Sequence, residues 1–228
     1  MNVLILNWRD PKNPKSGGAE LVTHEHARAW VKAGHEVTWF TSSFPGSQSE
    51  EVVDGVFFVR RGNSFTVYFF APLYYFFSGK KFNVIIDEIH GLPFFTPLYA
   101  RIPKVAFIHE IAGEIWDYMF SFPKNVIGKL LERWYFRVYK HCLFWTDAPS
   151  TAKEISQWGI PRSQCIAISC PVICNLTPRP RPKETTPVYL FVSRVVRMKG
   201  IEEVIKAFSF ILREQRDSRL WIIGGGDD

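Results

Sequence analysis

The sequence predicts an α/β protein with a parallel sheet and flanking helices, followed by a second, incomplete unit of the same kind. Three observations carry this prediction. Short apolar runs alternate with helical patterns from the first residue onward, prolines interrupt the chain at 175–187, and the alternation starts again at Val188. Of the 228 residues, 46% are hydrophobic and 16% are aromatic, which is enough for a buried core and argues against disorder.

Seven short runs in the first part of the chain have the apolar, β-branched or aromatic composition of buried strands. They are Val3–Leu6, Val37–Phe40, Val56–Val59, Val84–Ile86, Val105–Ile108, Leu143–Trp145 and Cys165–Ile168. Between the first two, Val22, Ala29 and Ala33 recur at helical spacing, and Gly34 follows where a glycine commonly ends a helix. A strand, a helix and a strand in this order predict a βαβ unit and a parallel sheet.

Three further helices and a linker complete the first part of the chain. The helices are predicted at Phe65–Phe77, Lys124–Lys140 and Ser150–Trp158. Alternating prolines at 178, 180 and 182 favour an extended, semi-rigid chain. We therefore expect a first domain at 1–174, a linker at 175–187 and the start of a second domain at 188–228.

The second part of the chain contains one more βαβ pattern. Val188–Val192 and Leu220–Ile223 are predicted strands, and apolar residues from Ile201 to Leu212 mark one face of a helix between them. One such unit of about 40 residues cannot bury both faces of its sheet, because domains usually need about 50 residues or more. Either this unit docks on the first domain or the natural chain continues past Asp228, and we expect the second.

The charge balance points to anionic partners. The net charge is +6 and the pI is near 9.2, which suits nucleotide phosphates, nucleic acid or an anionic membrane without choosing among them. Nucleic acid is not expected, since the basic residues are dispersed and form no recognised motif. The longest apolar run, Phe65–Phe77, is shorter than the roughly 20 residues that span a bilayer, and the N-terminus is typical of a strand rather than a signal peptide. We therefore expect a soluble, cytoplasmic protein.

A glycine turn precedes the first predicted helix. Gly17 and Gly18 lack side chains, so their amides can approach an anion closely, and the helix that follows supplies unpaired N–H groups. The alternative is a turn that happens to contain two glycines. A dinucleotide-binding site is a competitor, but it requires G-x-G-x-x-G directly after the first strand and an acidic residue about 20 residues later to hold the ribose. No G-x-G-x-x-G stands there, and the second strand ends in Phe40-Thr41-Ser42 without a carboxylate.

A second phosphate-facing loop follows the strand Val188–Val192. Arg194 and Lys199 lie on this loop, and ligands of open parallel sheets bind beyond the carboxyl ends of the strands. Arginine can clamp two phosphate oxygens, while lysine offers a point charge. A solvated basic loop is the alternative, but Gly200 at the start of the next helix favours an anion site.

Residues 193–200 and the helix after them closely resemble the donor-diphosphate motif of family 4 (group 1) glycosyltransferases. Gly17–Glu20 and Gly34–Val37 are similar to the start of that family's N-terminal domain, and the likeness extends over nearly the whole chain. The resemblance implies the GT-B fold, in which two Rossmann-like domains face each other across a cleft. It also implies transfer of a sugar from a nucleotide-diphosphate sugar to a glycan or lipid-linked acceptor, with retention at the anomeric carbon.

The same resemblance assigns roles to individual residues. Arg194 and Lys199 would neutralise the leaving diphosphate, while Gly17 and Gly18 would approach the donor or acceptor from the opposite wall. Neither a metal nor a cofactor is expected, because the nucleotide sugar is a co-substrate. Two departures stand out. The family's pair of donor-site glutamates would lie beyond Asp228, and residues 170–172 stand where members often carry Asn-Gly.

Carboxylates and histidines follow two of the predicted strands at their carboxyl ends, where a cleft would lie. By the resemblance, His109 corresponds to a histidine near the transferred sugar and is the candidate catalytic residue; a structural histidine at a strand end is the alternative. The candidates on the acceptor side are Glu20, Asp87, Glu88, His90 and Glu110. Glu20 can equally be a helix-start residue, because a carboxylate in the first turn is stabilised by the helix dipole.

Two further alternatives remain open. The first is a non-catalytic sugar- or acceptor-binding module, because the donor-site glutamates are missing. The second, a dinucleotide oxidoreductase, would bind NAD(P). The helix Lys124–Lys140 also interleaves cations with aromatic residues, a pattern typical of a peripheral contact with an anionic bilayer. The plainer interpretation is a core helix whose charges face water.

Overall fold

The computed structural model describes residues 1–171 and 184–226. The chain divides into two compact units. The first consists of Met1–Gly113 and Phe122–Val172, and the second consists of Glu114–Ser121 and Ile173–Asp228. Most of the predicted linker at 175–187 lies outside the described residues, and its last four residues form no helix or strand.

The first unit is built on an eight-stranded sheet. Its strands are β1 (Asn2–Leu6), β2 (Glu36–Thr41), β3 (Glu50–Val53), β4 (Val56–Arg60), β5 (Val84–Glu88), β6 (Lys104–Phe107), β7 (Leu143–Thr146) and β8 (Cys165–Ala167). They lie in the order β3-β4-β2-β1-β5-β6-β7-β8. Every neighbouring pair except β3 and β4 is parallel. The seven strands predicted for this part of the chain are confirmed.

Strand β3 was not predicted, because two glutamates open it and it is only half apolar. It pairs antiparallel with β4 and forms the edge of the sheet. Asp54 and Gly55 connect the two strands with φ values of 53° and 81°, as a tight hairpin turn requires. The Asp-Gly pair was therefore a usable signal for this hairpin.

The helices follow the predicted order, with one addition. They are α1 (Gly18–Lys32), α2 (Val67–Phe77), α3 (Ile115–Met119), α4 (Lys124–Val138), α5 (Pro149–Gln157) and α6 (Ile201–Glu214). The short helix α3 belongs to the second unit and was not predicted. Gly34, two residues after α1, has a φ of 83°, which a glycine adopts without strain. Among the described residues, no helix combines the length and apolar character needed to cross a bilayer.

Side chains that alternate along the strands form cores on both faces of the large sheet. Val3 and Ile5 of β1 pack with α1 on one face, whereas Leu4 and Leu6 pack with α2 on the other. Helices α4 and α5 cover the remaining strands through a third cluster that includes Tyr135. This arrangement leaves the carboxyl ends of the parallel strands at one edge of the sheet, where loops can form a site.

The second unit contains two parallel strands, β9 (Val188–Val192) and β10 (Arg219–Ile223), connected by α6. Tyr189 of β9 packs against Phe208 of α6, with ring centroids 5.8 Å apart. The side chains that alternate with Tyr189 are exposed on the other face, and each is 48% or more accessible: Leu190, Val192, Trp221 and Ile223. The predicted βαβ pattern is confirmed, and its helix covers one face of the sheet.

Candidate active site

The carboxyl ends of β5, β6 and β7 bring four polar side chains together. Glu88 is the last residue of β5, His109 comes two residues after β6, and Asp147 comes directly after β7. The three strands are parallel neighbours, so their ends meet at one edge of the sheet. His90 completes the group from the loop after β5. We call Glu88, His90, His109 and Asp147 the histidine cluster.

His109 lies at the centre of the histidine cluster, with a carboxylate on each ring nitrogen. Its Nε2 lies 3.1 Å from Oε1 of Glu88, and its Nδ1 contacts Oδ2 of Asp147. The Phe107 ring packs against the imidazole, with centroids 4.3 Å apart. These three contacts fix the orientation of the ring.

The same contacts set the charge of His109 and Glu88. Burial alone would lower the pKa of His109, but hydrogen bonds to Asp147 and Glu88 outweigh it and raise this pKa to about 9. Burial alone would raise the pKa of Glu88, but its contacts with His109 and His90 lower it to about 2. At neutral pH the pair is therefore a buried imidazolium and carboxylate that stabilise each other.

His90 contacts the same carboxylate. Its Nε2 lies 2.8 Å from Oε1 of Glu88, and its ring stacks on His109 with centroids 5.4 Å apart. The side chains of His90 and His109 are 17% and 15% exposed, whereas that of Glu88 is fully buried. The Asp147 side chain is also 15% exposed, so a ligand can contact the two imidazole rings and Asp147, while Glu88 lies beneath them.

Asp87 lies on the opposite face of β5 and has a different environment. It is fully buried and accepts hydrogen bonds from Phe94 N at 3.0 Å, Thr96 Oγ1 at 2.7 Å and the Tyr139 hydroxyl. Burial raises its pKa, and these hydrogen bonds oppose that shift. Its contacts fasten the loop after β5 to Tyr139, directly after α4, so the structure does not place this candidate with the histidine cluster.

The other two acceptor-side candidates, Glu110 and Glu20, do not belong to the histidine cluster. Glu110 is exposed beside His109. Glu20 is fully buried in the first turn of α1, where it accepts a hydrogen bond from Gly17 N at 2.7 Å and pairs with Arg9 at 3.0 Å. The helix-start interpretation of Glu20 agrees with this geometry.

The glycine turn before α1 is part of an ordered loop. Asp10 accepts a hydrogen bond from Lys12 N at 2.8 Å and forms a fully buried ion pair with Arg60 at 2.6 Å, which ties the loop to β4. The N–H of Gly17 is occupied by Glu20, whereas a side chain added at Gly18 would meet no atom within 4 Å. A Cβ at Gly17 would make only an ordinary contact with Glu20, at 3.7 Å, so the two glycines differ in that the amide of Gly17 is already engaged.

In the second unit, the loop between β9 and α6 carries the two predicted phosphate ligands. Arg194 and Lys199 are both exposed. A short 3₁₀ turn, Arg197–Lys199, leads to Gly200, which has a φ of 72° and directly precedes α6 as its N-cap. The loop is held by hydrogen bonds from Ser193 N to Ile223 O and from Val195 N to Gly225 O, at 3.1 and 2.9 Å.

The glycine run after β10 allows this loop to lie so close. A Cβ added at Gly224 would fall 1.8 Å from the Ser193 carbonyl oxygen, and one at Gly226 would fall 1.7 Å from that of Val195. A Cβ on Gly225 would meet no atom within 4 Å. Gly224 and Gly226 are therefore sites of close backbone approach, a role that the sequence analysis did not assign.

Asp147 is the main residue of the histidine cluster that the sequence analysis missed. Its signal was available, since it follows the predicted strand Leu143–Trp145 in the same way that His109 follows its own strand.

Comparison with known families identifies the class of protein that combines these features. The profile described as Glycosyltransferase Family 4 matches residues 16–176, and that described as Glycosyl transferases group 1 matches residues 159–228. The chain belongs to the family 4, group 1 glycosyltransferases. No curated protein sequence matches it.

Solved structures agree on the fold. Sucrose-phosphate synthase from Thermosynechococcus elongatus matches 99% of the chain with a TM-score of 0.71 and 16% identity. The catalytic domain of starch synthase IV from Arabidopsis thaliana, bound to ADP and acarbose, matches 100% of the chain with a TM-score of 0.62 and 14% identity. Anabaena HepE in complex with UDP-glucose matches 98% of the chain with a TM-score of 0.57 and 12% identity. The chain spans 63%, 69% and 69% of these proteins. The fold is therefore of the GT-B type.

Proposed function

We propose that the protein is a retaining glycosyltransferase that moves a sugar from a nucleotide-diphosphate sugar to a glycan or lipid-linked acceptor. The observation that carries this proposal is the loop 193–200, which presents Arg194 and Lys199 to solvent within a segment that matches the group 1 profile. Two related structures contain ADP or UDP-glucose, which supports a nucleotide sugar as the donor.

The proposed role of this loop is to neutralise the leaving diphosphate. A guanidinium can hold two phosphate oxygens, and an ammonium adds a second positive charge. The loop is backed by the close contacts at Gly224 and Gly226, so the two cations are attached to a backbone that is already ordered. Such preorganisation lowers the barrier because the charge on the leaving group is stabilised without rearrangement.

In the first unit, His109 is the proposed catalytic residue. As an imidazolium held by Glu88 and Asp147, it can share its Nε2–H between Glu88 and a sugar hydroxyl, or stabilise charge near the reacting carbon. A hydroxyl could reach it from solvent, since His90, His109 and Asp147 are all partly exposed. Gly18 is the proposed point of close approach at the start of α1, with Gly17 holding Glu20 in place.

The chemistry needs neither a metal ion nor a cofactor in this proposal. The leaving diphosphate accepts the proton of the acceptor hydroxyl on the same face of the sugar, so the anomeric configuration is retained. Glu20, Asp87, Glu88, His90 and Glu110 remain acceptor-side candidates. Of these, His90 is the best supported by the geometry, because it belongs to the histidine cluster and is partly exposed.

A donor screen on the complete protein tests the proposal. UDP- and GDP-sugars are supplied with a mixture of glycan and lipid-linked acceptors, and release of UDP or GDP is measured together with the product's anomeric configuration by NMR. We expect one nucleotide to be released in an acceptor-dependent way, with retention. Release of neither nucleotide, or inversion at the anomeric carbon, would overturn the proposal.

We also propose that the protein lies at the cytoplasmic face of an anionic membrane. Helix α2 contains no charged residue, and Phe69 and Phe77 on it are 68% and 81% exposed, with Phe65 just before it at 85%. Three exposed phenylalanine side chains can insert between the headgroups and acyl chains of a bilayer surface.

Helix α4 supplies the cations of the proposed membrane contact. Leu130 and Trp134 on α4 are 58% and 46% exposed, and Arg133 and Arg137 are exposed beside them. The Trp134 ring lies 5.5 Å from that of Phe95, in the loop whose Tyr99 packs against Tyr75 of α2. The two helices therefore border one surface, which would place a lipid-linked acceptor near the enzyme.

A further inference from the structure

The histidine cluster has the composition of a three-ligand metal site. Glu88, His90 and His109 each contribute one ligand atom, and these atoms lie within 4.8 Å of one another. Two imidazoles and one carboxylate form a ligand set that suits zinc and related divalent transition ions rather than magnesium or calcium, which prefer oxygen ligands. We propose that these three residues bind a divalent transition-metal ion, with Zn²⁺ as the ion to test first.

The distances in the cluster agree with this geometry. Oε1 of Glu88 lies 2.8 Å from Nε2 of His90 and 3.1 Å from Nε2 of His109. With metal–ligand bonds of about 2.0–2.2 Å, neighbouring ligand atoms of a tetrahedral zinc site stand about 3.3 Å apart. The three ligand atoms, all within 4.8 Å of one another, would close around an ion that takes the place of the protons between them.

The surroundings of His109 match those of a zinc-bound histidine. Its Nδ1 contacts Asp147, and metal-bound histidines commonly use their second nitrogen in this way, which fixes the ring and leaves Nε2 to the metal. The Phe107 ring, 4.3 Å away, limits rotation of the imidazole. Asp147, His109 and a metal ion would then form a carboxylate–histidine–metal series. The ion would lie between Nε2 of His109 and the carboxylate of Glu88.

Glu88 provides a second, independent observation. The residue is fully buried, and its other oxygen, Oε2, has no hydrogen-bond partner among the described residues. A buried carboxylate oxygen without a partner is costly, and a cation bound to this carboxylate would offset that cost. His90 and His109 are 17% and 15% exposed, so an ion can enter from solvent and retain water as its fourth ligand.

The proposed sugar transfer uses no metal, but the metal site shares His109 with it. A bound ion would occupy Nε2 of His109 and would therefore compete with a sugar hydroxyl at the same position. The binding itself does not depend on a donor or an acceptor. Its measurement therefore succeeds or fails independently of the glycosyltransferase proposal.

Isothermal titration calorimetry of the metal-free chain with ZnCl₂ tests the site. We expect one ion per chain, with intense visible absorption bands of tetrahedral Co²⁺ when Co²⁺ is added instead. Asp147→Asn should weaken binding by about 10–100-fold, the usual effect of losing an outer partner. His90→Ala, which removes a ligand, should weaken it by more than that.

His141→Ala is the matched control, because His141 is exposed before β7, at the opposite end of that strand from Asp147. It should leave binding unchanged. Circular dichroism establishes that His90→Ala stays folded, which is expected for a partly exposed side chain. Absence of zinc binding, or equal binding by the original chain and His90→Ala, would overturn the proposal.

Discussion

The charge of His109 gives the most detailed test of the histidine cluster. The structure raises its pKa from 6.5 to about 9, because the contacts with Asp147 and Glu88 outweigh the effect of burial. At 1.36 kcal/mol per pKa unit, this shift corresponds to roughly 3 kcal/mol of preference for the imidazolium. Asp147→Asn removes one of the two negative charges and keeps the shape of the side chain. We expect it to lower the pKa of His109 by about one unit or more.

The assay is an NMR pH titration of the metal-free chain with ¹³C-labelled histidine, in which His109→Gln identifies the resonance among six histidines. Glu110→Gln is the matched control, because Glu110 is the neighbouring carboxylate in sequence but is exposed. It should leave the titration of His109 almost unchanged. A pKa near 6.5 in the original chain, or no change in Asp147→Asn, would refute the electrostatic account of this cluster.

The same shifts determine how stability depends on pH. The folded-state pKa of His109 is raised, so its contribution is complete below pH 6.5 and is lost as the pH rises through about 9. The folded-state pKa of Glu88 is lowered, so its contribution is present above pH 4.5 and is lost as the pH falls towards about 2. Between pH 6.5 and 9.5 the free energy of unfolding should fall more in the original chain than in His109→Gln, as measured by urea denaturation.

Two other substitutions test separate parts of the account. Gly226→Ala should destabilise the second unit by roughly 1–3 kcal/mol, because its Cβ would fall 1.7 Å from the Val195 carbonyl oxygen. Gly225→Ala is the control, because a Cβ at that position would meet no atom within 4 Å. Equal urea midpoints for the two variants would contradict the close-approach argument. Phe69→Ser combined with Phe77→Ser should abolish co-sedimentation with vesicles that contain anionic phosphatidylglycerol. Leu21→Ser on α1, which packs on the opposite face of the sheet, should leave vesicle binding unchanged. Vesicle binding that persists in the double variant would exclude the α2 surface as the membrane contact.

Much of the fold could be predicted from the sequence, because buried parallel strands and amphipathic helices leave strong periodic patterns. The apolar run Val84–Ile86 and the glycine at position 34 are examples, and both were interpreted correctly. Strand β3 was missed because two of its four residues are glutamates. An exposed edge strand lacks the apolar signal that identifies buried ones.

The candidate site was less predictable, because the predicted strand Val84–Ile86 stopped before Asp87 and Glu88, so the alternation of side chains along β5 was not applied to them. Asp87 and Glu88 are adjacent and were treated alike, yet the first fastens a buried loop and the second joins the histidine cluster. Glu20 and Arg9 form a pair that no spacing rule predicts. The roles of Gly224 and Gly226 likewise depend on a contact between two separate loops.

The central claim is that Arg194 and Lys199 neutralise a departing nucleotide diphosphate. Arg194→Ala combined with Lys199→Ala in the complete protein tests it directly through kcat/KM for nucleotide release. Two lost hydrogen bonds to charged groups, at about 1.5–3 kcal/mol each, predict a decrease of roughly 10²–10⁴-fold. Lys206→Ala combined with Arg213→Ala removes the same charge from exposed positions on α6 and should have little effect. Turnover that falls equally in both double variants, or in neither, would contradict the account.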